Sequence, residues 1–259
     1  MGSYAEEVRA FCRANADADI AAKYARFFVE GYDPWGVDSK LLEKQRQQWL
    51  DDWDDALGLD GWLELADELT AGEKYEEISF GISFVAARRE RFDGTVLPHV
   101  TGWLERGRVR NWAHADVLAC DLIQALLLDG HNSLADLELW KTAADKYQRR
   151  VAATSAMALL EGVMINAGGR PVGDKIPARA VPIRELLAYV QPLVNDDIKQ
   201  VQQGVGWFLK KAWEAFPDDT EAWLLEHKAE IKPLVMRTAI EKVPKDRKAA
   251  FRIPRKKSR

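Results

Sequence analysis

The sequence predicts an all-α fold in which helical repeats stack into a curved α-solenoid, and three observations carry that prediction. Apolar residues recur at helical spacing along nearly the whole chain. Gly and Pro clusters punctuate it every 12 to 20 residues or so, as short inter-helix loops would. Nothing reads as a run of strands.

In chain order, the first helix is expected over Tyr4–Ala14 and the second from Asp17, an N-cap residue, through Ala21, Tyr24, Phe27 and Phe28 to Glu30. The loop G-Y-D-P-W-G-V-D ends on Asp38, a second cap, and a third helix carries Leu41, Leu42, Gln45 and Trp49 to Trp53. After Gly58 come Trp62–Leu69, Glu73–Phe92 and Thr95–Glu105, then a central helix over Trp112–Leu128. Beyond a turn at residues 129–132 follow Ser133–Lys141 and Ala144–Met164, and a Gly- and Pro-rich loop at residues 167–182. The last helices are expected over Ile183–Val190, Asp196–Phe216, Thr220–His227 and Ile231–Glu241. Two or three helices in roughly 40 residues suit HEAT-like pairs, each burying its apolar face against its neighbours, with partners on the concave side. One domain is expected over residues 1–241, followed by a flexible basic tail at residues 242–259.

Composition narrows the function classes. Hydrophobic residues make up 47% and charged residues 30% of the 259, enough for a core that needs neither disulfide nor metal. No apolar run approaches the roughly 20 residues of a spanning helix, and the start M-G-S-Y-A-E-E lacks the basic and apolar regions of a signal peptide. A cytoplasmic monomer that touches no membrane is therefore the expectation. Cys12 and Cys120 are too few for a disulfide framework, and the four histidines contain no H-x-x-x-H pair, so neither metal nor small-molecule cofactor is expected. The net charge of −4 is uneven: residues 242–259 hold nine Lys or Arg against Asp246 alone, so the tail carries +8 and the rest −12. Such a tail is ordinarily solvated, and its functional reading is a non-specific phosphate contact.

The segment R-V-R-N-W-A-H-A-D at 108–116 places the Trp112 indole and the Asp116 carboxylate four positions apart, on one helical face. An electron-rich ring beside an anion suits a cation. Taken singly, these residues have plainer readings. Most of the ten tryptophans, Trp49, Trp62, Trp103 and Trp223 among them, should be core anchors. By the same standard Asp116 is an ordinary ion-paired carboxylate, Arg149 and Arg150 a surface pair, Tyr24 a core aromatic with a wet hydroxyl, and His114 a partly exposed bystander.

Four motifs in order shift that balance. N-W-A-H-A-D at 111–116, Y-Q-R-R-V-A-A at 147–153, G-V-G-W-F-L-K-K at 204–211 and K-Y-A-R-F-F at 23–28 followed by P-W-G-V-D resemble the DNA alkylation repair family of HEAT-like DNA glycosylases. The resemblance runs from Ala22 to Lys248. It implies excision of N3- or N7-alkylated, cationic purines from double-stranded DNA, without metal or cofactor and without the base having to swing into a pocket. It implies Asp116 as the catalytic carboxylate, Trp112 and Trp207 as the tryptophans beside the lesion's sugar, Arg150 as the family's arginine, and Tyr24 as its N-terminal tyrosine. Arg149, Lys210 and Lys211 join Arg150 and Tyr24 as DNA-contacting candidates. The chain departs from the best-studied branch at Ala113, where a second aromatic is usual, and at Asp38, an anion that would repel phosphate unless it serves as a cap.

The chemistry stands independently of the resemblance. A purine alkylated at N3 or N7 is already a good leaving group, so the catalyst must stabilise an oxocarbenium-like sugar and place water, which a carboxylate does by charge and by accepting a proton. Nothing singles out a nucleophilic lysine, so no lyase step is expected. Two other readings use the same fold: a catalytically weak protein that binds damaged or branched DNA, and a helical protein-binding scaffold favoured by the −12 before the tail. The paired glycines Gly204 and Gly206 each cost a helix about 1 kcal/mol relative to Ala, which points to close backbone approach, by a neighbouring helix or by the DNA backbone next to Trp207, with helix packing the plainer choice.

Overall fold

A computed structural model describes residues 3–251, and these are mostly helical. The chain divides into two compact units between Leu118 and Ala119. Among the described residues, no helix is long and apolar enough to cross a membrane.

The first unit opens with α1 (Tyr4–Ala14) and α2 (Ala18–Ala25), the latter capped by Asp17, whose carboxylate accepts from the Asp19 and Ile20 amides. The second helix thus stops at Ala25 rather than Glu30, because residues 26–38 leave the helix to form an aromatic loop. Asp38 caps α3 (Ser39–Thr70) by accepting from the Lys40 and Leu41 amides, which answers the phosphate repulsion feared for that anion. A kink at Gly58 (φ 58°, ψ −169°) splits α3 into the two helices expected there. Then come α4 (Tyr75–Ala86), α5 (Val96–Glu105) and α6 (Trp112–Val117).

Aromatic packing dominates this core. Trp49, Trp53, Trp62, Phe80 and Phe84 interlock with ring centroids 5.1 to 6.2 Å apart, mostly tilted or edge-on. Three buried indoles find a carboxylate: Trp49 donates to Glu7, Trp62 to Asp54 and Trp103 to Asp67. Trp223, in contrast, is only half-buried and stacks on His227 at 4.5 Å.

The central helix expected over Trp112–Leu128 is three stretches, α6, π-helical turns at Leu118–Ile123, and α7 (Gln124–Asp129). In the second unit a 3-10 stretch, Leu134–Thr142, carries a capping box from Ser133 and Asp136. Next is α8 (Lys146–Ser155), capped by Asp145 and continued as a 3-10 turn to Leu160, so this helix ends short of Met164. Met164–Ile165 (β1) instead pairs antiparallel with Pro171–Val172 (β2), a small hairpin that helical periodicity did not foretell. The helices α9 (Ile183–Val190), α10 (Lys199–Ala215), α11 (Pro217–Glu226) and α12 (Pro233–Ala239) follow the expected rhythm.

The glycines of α10 are explained by packing. A Cβ at Gly204 would meet Arg150 Cγ on α8 at 2.9 Å, and one at Gly206 would meet Thr238 Cβ on α12 at 2.6 Å. After α12, Arg247 pairs with Glu221 at 2.6 Å and Phe251 is buried, so the first part of the basic segment packs on α11. The remainder of the expected tail, residues 252–259, lies outside the described residues.

Candidate functional site

The motif N-W-A-H-A-D divides its labour. Asn111 caps α6: its Oδ1 accepts from the His114 amide at 3.0 Å, and its amide nitrogen donates to the Gly31 carbonyl at 2.9 Å. The same nitrogen lies 3.0 Å from His114 Nδ1, which must therefore accept, leaving the imidazole proton on Nε2. That proton points to Ser79 Oγ at 3.0 Å, while the Ser79 hydroxyl donates to the Tyr75 carbonyl at 2.8 Å. His114 is thus buried and not the partly exposed bystander expected from its place in the motif. Its ring stacks on Tyr75 at 4.4 Å, and burial lowers its pKa to about 3, so it stays neutral.

This network holds the Phe27–Tyr32 loop against the start of α6. Gly31 turns with φ 66°, and a Cβ there would strike the Arg110 carbonyl, so only glycine permits the approach. The loop in turn fixes Trp112. The indole N–H donates to the Phe27 carbonyl at 3.1 Å, and the ring stacks on Phe28 with centroids 5.7 Å apart and planes 20° apart. Phe28 stacks on Tyr32 at 4.3 Å, while Tyr75 meets both edge-on. Trp112 remains 40% exposed at the end of this array. Asp116 stands one turn further along α6, buried at 4% exposure, so ring and carboxylate share a helical face as their spacing requires.

These rings wall a cavity of about 620 Å³ in the first unit, lined by Tyr24, Phe27, Phe28, Tyr32, Tyr75 and Trp112 together with residues of α3 and α4. Tyr24 stands at its edge on α2, 40% exposed. At the other end of the loop, Glu76 accepts from the amides of Trp35, Gly36 and Val37. Burial pushes the Tyr32 phenol up to about 12, and the field of Glu76 adds to the shift.

The remaining candidates lie in the second unit. Arg150 is buried on α8 with Nη1 donating to the Gln200 carbonyl at 2.6 Å. Arg149 is held by Asp196 at 2.7 Å and by the carbonyls of Ala143 and Ala144, which is an anchoring geometry. Lys210 pairs with Glu241 at 3.0 Å and Lys211 with Glu214 at 2.6 Å. Trp207 is half-exposed on α10, and the hairpin turn passes close over it: a Cβ at Gly169 would be 3.4 Å from Trp207 Nε1. Sequence reasoning passed over Phe28, Tyr32, Tyr75, Ser79 and the hairpin. The aromatic density of residues 24–35 and the Tyr75-to-Ser79 helical spacing were the available signals.

A family model described as "DNA alkylation repair enzyme" matches residues 8–243. No curated protein matches the chain. A solved structure titled "Predicted DNA alkylation repair enzyme from Enterococcus faecalis" is similar with a TM-score of 0.71 over 89% of this chain and 98% of that one. At 14% identity, that likeness concerns the fold.

Proposed function

We propose a reaction for a chain that belongs to the DNA alkylation repair enzyme family: hydrolysis of the N-glycosidic bond of N3- or N7-alkylated, cationic purines in duplex DNA. The observation that best supports it is the pairing on α6 of a buried carboxylate, Asp116, with an exposed and rigidly held indole one turn away, Trp112.

The alkylated base carries a positive charge, so when the bond from C1′ breaks its electron pair neutralises the base, which leaves without a general acid. The sugar becomes oxocarbenium-like. Asp116 stabilises that cation electrostatically, most strongly where water is excluded, and orients the water that adds to C1′ and accepts its proton. The products are an abasic site and a neutral alkylated base. Trp112 and Trp207 hold the sugar by cation–π contact. Arg150, with Tyr24, Arg149, Lys210 and Lys211 as further contacts, binds the flanking DNA backbone.

Free methylpurine released from methylated duplex DNA tests the reading. Asp116→Asn keeps the shape and removes the charge, and should lower single-turnover release by about a hundredfold or more. Equal release from both proteins, or none from the wild type in excess over DNA, would sink the glycosylase assignment.

A further inference from the structure

We propose that Phe28 is a positioning residue for Trp112: its ring backs one face of the indole and so fixes which face a reacting sugar meets. The role rests on the glycosylase reading; the ring geometry behind it does not.

Trp112 stands in the first turn of a six-residue helix and is 40% exposed, so its own backbone does little to fix the plane of the ring, whose second torsion is intrinsically broad. Two contacts do so. The hydrogen bond to the Phe27 carbonyl pins the N–H edge but leaves the ring free to tilt about that bond. The tilt is set by Phe28, whose plane lies 20° from that of the indole at a centroid distance of 5.7 Å, an offset stack. An aliphatic side chain fills a similar volume but has no plane to impose.

Phe28 is itself locked. Tyr32 lies on it with planes 4° and centroids 4.3 Å apart, and Tyr75 meets both rings edge-on. None of these four rings belongs to the tryptophan core around Trp49. Phe28, Tyr32 and Tyr75 are at least half-buried, and Trp112 is the one exposed member. Flanked by Tyr32 and Trp112, Phe28 has no face left for a ligand, and the array ends on the outer face of the indole.

The chemistry makes that plane matter. A cation–π contact needs the charge over the ring face, within about 6 Å of its centre. The deoxyribose of bound DNA is neutral and gains positive charge only as its bond to the base breaks. An indole that tilts away therefore loses transition-state stabilisation and spares ground-state binding. Phe28 thus governs the rate of the chemical step and not the affinity for DNA.

Single-turnover release of methylpurine from methylated duplex DNA reads the rate. Anisotropy with a duplex holding a tetrahydrofuran abasic analogue, whose sugar is neutral, reads the affinity. Phe28→Leu keeps apolar bulk and removes the plane; release should slow by about tenfold or more, as it does when reacting groups are misplaced, with affinity unchanged. Phe28→Met repeats the test should urea melts show that Phe28→Leu does not fold. Phe28→Tyr keeps a flat ring and should keep the rate. In a Trp112→Ala background Phe28→Leu should slow release no further, because residues that act through one contact are not additive. Phe11→Leu, which removes a ring packed on Trp49 at 5.3 Å, should leave the rate alone and shows what a merely structural loss does. An unchanged rate in Phe28→Leu, a loss of affinity instead of rate in a folded variant, a slow Phe28→Tyr, or additive losses with Trp112→Ala overturns the proposal. Those outcomes leave the glycosylase reading standing, whereas no release by the wild type defeats the reaction and the role together.

Discussion

His114 illustrates how a residue beside a candidate catalytic pair can work for the fold rather than the chemistry. Folded, it is a neutral ring between Asn111 and Ser79 with its pKa lowered from 6.5 to about 3 by burial. The unfolded chain therefore binds a proton that the folded one refuses. His114's contribution is complete above the unfolded pKa and is lost as the pH falls below it, by about 1.4 kcal/mol per unit. Asp121 acts in the opposite sense: burial raises its carboxyl from 3.8 to about 6, so protonation there favours the folded state as the pH drops through that window. The wild-type profile mixes the two, but their difference does not. His114→Gln should cost stability at neutral pH, and urea melts at a series of pH values should show that deficit shrinking on acidification. A deficit that stays constant down to about pH 4 would mean that His114 is not a buried neutral ring. Asp116 and Trp112 could be picked out in the sequence because their relation is local, one helical turn. The partners that fix the Trp112 ring, Phe27 and Phe28, stand some 85 residues earlier, and no local pattern reveals that contact.

Helix boundaries were legible where a capping side chain or a glycine announced them. Asp17 and Asp38, the two caps read in the sequence, accept from amides of the first turn they precede, as do Asn111 and Asp145, which the sequence reading did not single out. The kink at Gly58 belongs to the same class, and it yields a clean experiment. Its backbone, φ 58° with ψ −169°, lies in a region nearly reserved for glycine, while nothing stands within 4 Å of where a Cβ would go. Gly58→Ala should therefore destabilise by about 1–3 kcal/mol through backbone strain alone. Gly206→Ala should also destabilise, for the opposite reason. Its backbone is helical and alanine would add about 1 kcal/mol of propensity, but the new methyl meets Thr238 Cβ at 2.6 Å. Overpacking of about 1–3 kcal/mol should prevail. Chemical denaturation of both variants decides the matter; a neutral Gly58→Ala or a stabilised Gly206→Ala would contradict these accounts. Of the misjudged boundaries, the ends of α2 and α8 fall where helical patterning continues but the backbone is needed for an aromatic loop and a hairpin, and α4 also ends early, at Ala86 rather than Phe92.

At the scale of the whole chain, charge is the property most open to test. Residues 252–259 carry five Lys or Arg and no acid, within a protein whose net charge as a whole is −4. If they bind phosphates, a chain ending at Phe251 should bind duplex DNA with a shallower dependence of log affinity on log salt, by about 0.9 for each phosphate that the segment neutralises. An unchanged slope would assign DNA attraction to the folded part alone. The sequence by itself determined the helical class, most helix starts and the local pairing of ring and acid on α6, because periodicity, caps and i,i+4 spacing are written within one or two turns of chain. The four ordered motifs carried the family, which the match over residues 8–243 bears out. Tertiary structure decided what those residues stand among. It buried His114 in a network spanning three segments, laid the hairpin turn over Trp207, and opened an aromatic cavity beside Trp112. Each depends on the meeting of residues distant in sequence, where hydrophobic pattern says that a side chain is covered but not by what. The start of α6 is therefore legible as a ring and a carboxylate, and only the folded chain supplies the walls around the ring.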